Sequence, residues 1–319
     1  IGGIQVTGME RAHLFDWPGK SAPADGDIRH PAILHMLDVA AVAERLLAPF
    51  QFEPRLRDAL VLLVALHDLG KISTSFRAMI ESGAHQKYRH WQLTEALLFA
   101  HDDRLAARIG GDWRQRQMLY ASVAGHHGQP SDLELGARPG LPARDRGLRA
   151  AIAVVGDGVQ PAAEVIDAVC ALWPEAGLGT LPSGSATTTL SWWLPGLCAA
   201  ADWIGSNTRW FLPEEGRPDL AQYLRRTRDI AETAVRDAGL AGSVAKTGQV
   251  FDFALRPMQA ACAALSLPDG PMLAVIEDET GAGKTEAALL LAQRMMQAGK
   301  GRGLYFALPT MATSDAMFA

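Results

Sequence analysis

An apolar segment that ends in an adjacent histidine and aspartate constrains this chain more than any other feature. Residues 59–66 form its longest apolar run, and His67 and Asp68 follow directly. A bilayer needs roughly 20 apolar residues, so this run is too short to span a membrane and belongs in a protein core. Two polar side chains at the end of a buried helix are costly unless they are paired or bind a metal. The sequence therefore predicts a polar or metal-binding site inside a helical core.

The composition limits the class of protein. The chain has 319 residues, of which 48% are hydrophobic and 20% charged, so it can bury one large or two ordinary cores. The formal net charge of -5 provides no overall positive field, so any binding of nucleic acid must come from local patches or from metal ions. The three cysteines are too few and too scattered for a disulfide framework, and the amino terminus has no signal pattern. A cytoplasmic location is expected.

Apolar residues at three-to-four spacing predict helices up to about residue 236. One helix begins after Pro31, which suits a first-turn position, and a second runs from about Leu56 to Asp68 with Gly70 as its stop. Further helices are predicted over about 92–99, 114–124, 162–172, 190–204 and 219–238. A basic loop is predicted over 138–149 and a turn-rich segment over 177–185.

The order of predicted elements changes after Gly239, where the composition AGSVAKTGQ is typical of a linker. The elements predicted beyond it are a helix over 256–265, a strand over 272–276, a glycine loop over 281–285, a helix over 286–297 and a strand over 304–308. This order is typical of the opening of an α/β nucleotide-binding domain.

Histidine is unevenly distributed, because all nine histidines lie within the first 127 residues. The candidates for a metal site are, in order, His35 with Asp38, the pair His67-Asp68, His90, the pair His126-His127, and Asp202 in an apolar helix. Each of them alone is more often structural than a ligand. Adjacent helical residues point about 100° apart, so the imidazole and carboxylate of a histidine-aspartate pair could face neighbouring ions. The order of these features along the chain is the specific signal.

These motifs resemble the HD-domain phosphohydrolase superfamily, an all-helical fold whose H…HD…D ligands hold a metal for phosphoester hydrolysis. The segments RHPAILHMLDVAAVAERLL, LHDLGKISTSFR, AGHHGQP and AADWIGSN are more closely similar to the HD nuclease domain of the CRISPR-associated nuclease-helicases of type I systems. The early FDWPGKS also fits, and the I-E subtype is expected. The resemblance covers most of residues 10–210.

The resemblance implies two metal ions. One would be held by His35, His67, Asp68 and Asp202. The other would be held by His90, His126 and His127, with Asp68 bridging. Two ions about 3.5–4 Å apart can share a phosphate, activate water and stabilise the leaving oxygen. A histidine-rich site favours manganese, iron, cobalt or nickel over magnesium.

Lys71 lies three residues after Asp68 in the sequence HDLGK. Its ammonium could neutralise phosphate charge beside the metal ligands, which would make Lys71 part of the catalytic machinery with Asp68. The alternative is a helix-end lysine that interacts with the carbonyl dipole, and the sequence does not separate the two.

The segment VIEDETGAGKTEAALLLAQ has the strand-loop-helix context of a P-loop. Its nucleotide-binding residues would be Gly281, Ala282, Gly283, Lys284 and Thr285. Lys284 would reach the phosphates of ATP, and the hydroxyl of Thr285 would bind magnesium. Asp278 occupies the position where the strict motif has glycine, and together with Glu279 it departs from the pattern.

Two flanking segments resemble motifs of superfamily 2 helicases. Gln259 in FALRPMQAA matches the residue that reads adenine, whereas Pro309 and Thr310 in YFALPTMATS match a motif that contacts the nucleic-acid backbone. The later acidic motif, the arginine finger and the second motor lobe are not in the sequence, so ATPase activity is expected only in a full-length protein. The predicted fold class is therefore mainly α: an all-helical HD-superfamily nuclease domain over 1–238, a linker over 239–249, and the truncated start of an α/β RecA-like P-loop helicase domain over 250–319.

The resemblance implies a nuclease that cuts single-stranded DNA, above all the displaced strand of an R-loop made by a CRISPR surveillance complex (Cascade). A monomer without a membrane partner is expected. Arginines that could line a DNA groove, or simply form a solvated face, are Arg104, Arg108, Arg114, Arg116, Arg144, Arg146 and Arg149. Tryptophans predicted as core rather than base-stacking residues are Trp91, Trp192, Trp193 and Trp203. The alternatives are an HD-type nucleotide phosphohydrolase and a docking scaffold with a vestigial metal site.

Overall fold

The computed structural model describes residues 12–19, 30–129, 146–241, 248, 250–301 and 303–307. The chain divides into two compact units, Ile1–Leu240 and Ala241–Ala319. The α-helices described in the first unit are α1 (Ala32–Leu47), α2 (Pro54–Ala65), α3 (Thr74–Ser82), α4 (His90–Ala100), α5 (Asp102–Ile109), α6 (Trp113–Ala124), α7 (Arg146–Val155), α8 (Val159–Leu172), α9 (Ser185–Gly205) and α10 (Leu220–Asp237). Those of the second unit are α11 (Pro257–Ala264) and α12 (Lys284–Gln297). The predicted mainly helical fold is confirmed.

The helix α1 is the centre of the first unit. It packs against α2, α9 and α10, and it is buried on all sides along most of its length. A helix that is apolar around its whole circumference is stable only inside a core. Most of α1 has apolar residues on every side, which explains its central position. The preceding Pro31 has an extended backbone, and the helix begins at the next residue. The core helix therefore holds any polar residue on it, such as His35, out of water.

The histidine-aspartate pair lies outside the regular helix that precedes it. The helix α2 ends at Ala65, and the chain continues as the tighter 3-10 helix Leu66–Lys71, in which Asp68 has the non-helical angles φ -108° and ψ 20°. The sequence-based prediction of one helix through Asp68 was therefore wrong at its end. The two side chains are directed by this kink rather than by the regular 100° step of an α-helix.

Gly70 has a different role from the helix stop that the sequence suggested. A Cβ at this position would overlap the carbonyl oxygen of His90, and the Gly70 amide donates a hydrogen bond of 2.9 Å to Thr94 Oγ1. Gly70 therefore permits the 3-10 helix Leu66–Lys71 to contact the first turn of α4. This contact brings the histidine-aspartate pair next to His90.

The helices predicted from periodicity exist, with ends shifted by a few residues, whereas α3, α5 and α7 were missed. The helix α7 begins at Arg146, so the predicted basic loop is wrong over 146–149; residues 138–145 lie outside the described part of the chain. The predicted strands over 272–276 and 304–308 are not formed in the part of the chain that the structure describes, which contains no strand; Leu308 lies outside it. A strand needs the backbone of a neighbour for its hydrogen bonds, and none pairs with them in the part that the structure describes.

No single helix among the described residues combines the length and apolar composition needed to cross a membrane. One bent pair, Pro54–Lys71 with Thr74–Ser82, meets the criterion by length and composition, with an angle of 61° between its halves. Its apolar side chains, such as Leu60 and Leu63, are completely buried in the helical core.

Arg116 is a core residue and not part of a DNA groove, which corrects one of the arginine predictions. Its guanidinium binds the carboxylate of Asp102 through two bonds of 2.7 Å, and both side chains are almost completely buried. Tyr120 donates a further hydrogen bond of 2.9 Å to Asp102. The residue therefore joins α5 to α6.

Replacing Arg116 with leucine should lower the free energy of unfolding by about 3–5 kcal/mol, because it leaves the buried Asp102 carboxylate without its cation. Arg104→Leu is the matched control. Arg104 pairs with Asp167 at the surface, where such an ion pair contributes about 0–1 kcal/mol. Urea unfolding of both variants tests this difference. Equal destabilisation by the two substitutions would contradict the structural role of Arg116.

Candidate metal centre

Five segments of the first unit meet around Asp68. The helix α1 provides His35, the 3-10 helix Leu66–Lys71 provides His67 and Asp68, α4 begins with His90, the turn after α6 provides His126 and His127, and α9 provides Asp202. The approach of α9 to α1 depends on Gly205, where a Cβ would lie 2.8 Å from Val39 Cγ2. The residues predicted as metal ligands are therefore close together in space, although they span most of the first unit in sequence.

The first cluster consists of His35, His67, Asp68 and Asp202, whose ligand atoms all lie within 4.8 Å of one another. Asp68 Oδ2 is 3.0 Å from His35 Nε2 and 3.2 Å from His67 Nε2. Asp202 Oδ1 is 3.4 Å from His35 Nε2 and 3.6 Å from His67 Nε2. Two imidazoles and two carboxylates thus face one point, an arrangement that suits a divalent cation.

The second cluster consists of His90, His126 and His127, again with ligand atoms within 4.8 Å of one another. The Nε2 atoms of His90 and His127 are 3.0 Å apart. The Oδ1 atom of Asp68 lies 3.4 Å from His90 Nε2 and 3.9 Å from His126 Nε2. One oxygen of Asp68 therefore faces the first cluster and the other faces the second.

The histidine rings are held so that a nitrogen lone pair points into the site. His67 Nδ1 lies 2.9 Å from the carbonyl oxygen of Val64, and His126 Nδ1 lies 2.7 Å from that of Val123. Donation from Nδ1 to a carbonyl leaves Nε2 as the unprotonated ligand atom, as in known metal-binding histidines. His67 Nε2, His126 Nε2 and Asp68 Oδ1 are buried and have no hydrogen-bond partner. Divalent cations would satisfy all three atoms.

The electrostatic environment keeps His90 and His126 neutral and the carboxylates of Asp68 and Asp202 charged. Burial lowers the pKa of His90 to about 4 and that of His126 to about 3. Burial would raise the pKa of Asp68, but the charges of His67 and Lys71 hold it well below its usual value. Burial opposes a charge on His67 as well, yet the neighbouring carboxylates of Asp68 and Asp202 raise its pKa to about 10. A divalent cation bound between these carboxylates would displace the proton from His67 and take over its role of balancing their negative charge.

Lys71 contacts the ligand carboxylate directly. Its Nζ atom lies 2.6 Å from Asp68 Oδ2 and donates a 2.8 Å hydrogen bond to the carbonyl oxygen of Gly19. The side chain is only 13% exposed, so its charge acts within the site rather than in bulk solvent. Its catalytic role stays a prediction.

Two features of the site could not be found from the sequence. Ser206 Oγ donates a 2.8 Å hydrogen bond to Asp202 Oδ1 and so orients that carboxylate, although a serine after a helix gives no signal of this role. Asp38, which the spacing had paired with His35, lies away from the clusters and accepts hydrogen bonds from His30 Nε2 at 3.0 Å and Tyr223 Oη at 2.8 Å. On a completely buried helix, spacing alone does not show which acid faces the site.

In the second unit, the predicted P-loop leads into α12. Gly281 and Gly283 have the positive φ angles of 81° and 88° that the turn requires. Lys284 Nζ donates hydrogen bonds to the carbonyl oxygens of Asp278 and Glu279, at 2.7 and 2.6 Å. Ala282 lies within the loop, and Thr285 is exposed in the first turn of α12. The nucleotide-binding role of this loop stays a prediction.

Gln259 is buried beside that loop. Its Oε1 accepts a hydrogen bond of 2.9 Å from the Arg256 amide, and its Nε2 donates one of 3.3 Å to the carbonyl oxygen of Gly283. Both ends of the carboxamide are thus engaged within the unit, and the reading of adenine stays a prediction. Pro309 and Thr310 lie outside the described residues.

The core prediction was wrong for Trp192 and Trp203, and the partly buried Trp91 also lies outside both apolar clusters of the described residues. Trp193 packs on Phe50 and Phe52, as a core residue does. Trp192 and Trp203, by contrast, are 83% and 77% exposed on α9. The apolar composition of α9 does not distinguish its buried face from its exposed face, which explains the error.

Known proteins are similar to this chain over nearly its whole length. A curated relative, the CRISPR-associated endonuclease/helicase Cas3 of Thermus thermophilus, is 31% identical over 97% of this chain and 35% of its own length. The chain therefore spans about a third of the length of the relatives that it matches. A crystal structure of a CRISPR-associated protein is 26% identical, with a TM-score of 0.65 over 96% of this chain and 36% of the other.

The fold is shared more widely. A chain of a CRISPR RNA-guided surveillance complex in a pre-nicking state is 22% identical, with a TM-score of 0.58 over 95% of this chain and 37% of that one. The sequence also matches the family described as Cas3, HD domain over residues 17–211, a range that includes all the residues of both clusters. The resemblance drawn from the sequence motifs is thereby confirmed, and the chain belongs to the Cas3 HD-domain family.

Proposed function

We propose that this chain is a two-metal nuclease that hydrolyses single-stranded DNA during CRISPR interference. The observation that carries the proposal is the position of Asp68, whose two oxygens face two separate groups of histidines. Buried polar atoms without a hydrogen-bond partner lie on both sides of this carboxylate, and such atoms are costly unless a ligand such as a metal ion binds them. The same observation weighs against a docking scaffold with a vestigial site.

Each residue of the site has a defined task in this proposal. His35, His67 and Asp202 would hold one ion, and His90, His126 and His127 would hold the other, with Asp68 shared between them. Bound ions would supply Lewis acidity toward the phosphate and a lowered pKa for the attacking water. Lys71 lies at the same carboxylate and adds a positive charge where the phosphate oxygens would bind. Ser206 keeps Asp202 in its orientation.

The substrate and the partner follow from the family. The displaced strand of an R-loop is single-stranded, and a surveillance complex (Cascade) would present it to the nuclease. The second unit would be the beginning of the helicase domain, with ATP and magnesium bound at Lys284 and Thr285. The helicase inference is supported by relatives that are named endonuclease/helicase and that are longer than this chain, and the partner by the fold shared with a chain of a surveillance complex.

A comparison of substrates tests the proposed reaction. The purified chain with manganese should cleave a single-stranded oligonucleotide, cut the matched duplex far more slowly, and lose activity when a chelator is added. Deoxynucleoside triphosphates serve as the third substrate, because the HD fold also hosts nucleotide phosphohydrolases. Hydrolysis of the triphosphates without any cleavage of DNA would refute the nuclease and favour that alternative.

Replacing Lys284 with alanine should leave the rate of this metal-dependent cleavage unchanged. The reason is that every proposed metal ligand lies in the first unit, whereas Lys284 belongs to the second. Initial rates on the single-stranded oligonucleotide, measured with manganese and without ATP, give the comparison. A loss of more than about threefold would mean that the P-loop contributes to the nuclease site.

A further inference from the structure

A cavity of about 500 Å³ lies beside the second cluster. One side is formed by α3 and the start of α4, with the apolar side chains of Phe76, Met79, Ile80 and Trp91. This volume is within the range of about 300–1,000 Å³ that is typical of small-molecule sites. The proposed ligand set does not account for these apolar residues.

Three of the four apolar side chains of the cavity, those of Met79, Ile80 and Trp91, are only partly buried. None of the four belongs to, or packs as a neighbour against, either buried apolar cluster found among the described residues. Phe76 is itself buried, with only 5% of its surface exposed, so protein atoms cover most of its ring. Side chains of this kind, collected in a concave site without a packing role, are typical of a ligand-binding surface.

Gln86 gives an independent indication of a ligand. It lines the cavity and is only 9% exposed, yet its Nε2 atom is buried and has no hydrogen-bond partner. Buried amide donors are nearly always paired in proteins. A ligand with an acceptor atom inside the cavity would satisfy this donor.

The cavity adjoins the atoms that would hold the scissile phosphate. His90 and Lys71 form part of its lining, as does the exposed Arg89. The ring centroid of Phe76 is 5.7 Å from that of His90 and 5.9 Å from Lys71 Nζ. A flat ring bound in the cavity would therefore have the cationic side chains of Lys71 and Arg89 and the proposed metal ligand His90 around it, and these groups suit a nucleotide.

We propose that this cavity, the base subsite, binds one unpaired nucleobase next to the phosphate that is cleaved. The ring would contact Trp91 and Met79, the amide of Gln86 would donate to a base acceptor, and Arg89 would face the neighbouring phosphate. A paired base would first have to leave its duplex, so the subsite makes an unpaired strand a condition of cleavage. This inference rests on the proposed nuclease function and adds a structural reason for its choice of substrate.

An abasic scan of the substrate tests the base subsite. A single tetrahydrofuran residue is moved along a single-stranded oligonucleotide, and cleavage at each phosphodiester is compared with that of the intact strand. We expect a decrease of about tenfold, equal to about 1.4 kcal/mol, at the bond next to the missing base. In Gln86→Met and Trp91→Ala this ratio should approach one, whereas the exposed control Trp192→Ala should keep it. The ring of Trp91 lies 4.8 Å from that of His127, so its removal could also lower the overall cleavage rate. Each ratio is taken within one variant, so such a change in the overall rate cancels.

Photocrosslinking gives a readout that does not require cleavage. A single-stranded oligonucleotide with 5-iodouracil, irradiated with the chain in the presence of a chelator, should crosslink to Trp91, as mapped by mass spectrometry. Such a crosslink in a chain that cuts no DNA would support the subsite and refute the nuclease. Cleavage without any abasic effect, or crosslinks only at Trp192 or Trp203, would overturn the subsite and leave the nuclease intact.

Discussion

Replacing Asp68 with alanine should remove both metal ions and lower the rate of DNA cleavage by at least about a thousandfold, or about 4 kcal/mol in activation free energy. Among the described residues, Asp68 alone has one oxygen facing each cluster, so its loss would take a ligand from each ion. The helical content should remain, because the surrounding apolar helices do not depend on the carboxylate for their packing. Elemental analysis, circular dichroism and cleavage with manganese measure the three quantities.

Asp38 provides a matched control for this substitution. It is also a buried aspartate in contact with a histidine, but its partners are His30 and Tyr223, away from both clusters. Asp38→Asn should lower the free energy of unfolding by about 1–3 kcal/mol and leave the metal content unchanged. If Asp68→Ala still cut DNA at a near-parental rate, or if Asp38→Asn lost metal as Asp68→Ala does, the assignment of Asp68 as the bridging ligand would be wrong.

Removing one histidine of the second cluster should lower the metal content from about two ions per chain toward one. His127 is the sharper choice, because it is exposed while His126 is buried, so His127→Ala removes a ligand with little effect on packing. The first cluster keeps its four residues in this variant, and one ion should remain. Cleavage should fall with the loss of the second ion, because two ions are needed to clamp the phosphate.

The exposed His85, which belongs to neither cluster, is the control for this measurement. His85→Ala should retain about two ions. An unchanged metal count in both His126→Ala and His127→Ala would contradict the division into two sites. A fall to zero in either variant would mean that the two ions bind only together.

The residues that meet around Asp68 could be picked out from the sequence, because their order along the chain resembles that of the HD family. Histidines and aspartates at the ends of apolar helices are costly there, and their order from His35 to Asp202 is specific even though each residue alone is not. Helix positions were predictable because the apolar period of a buried helix is written along the chain.

The remaining features depend on contacts between distant segments. Gly70 looks like a helix stop, but the structure requires it for the contact with His90 on α4. Arg116 looks like a surface cation until Asp102 is placed beside it. The exposure of Trp192, like the absence of pairing in the predicted strands, depends on which neighbours are present. Periodicity and composition contain no information about such neighbours.

Anomalous scattering from crystals of the chain soaked with manganese tests the central claim most directly. We expect two peaks in the first unit, one surrounded by His35, His67 and Asp202 and the other by His90, His126 and His127, with Asp68 in contact with both. A single peak, or peaks that Asp68 does not contact, would contradict the two-metal site on which the proposed nuclease depends.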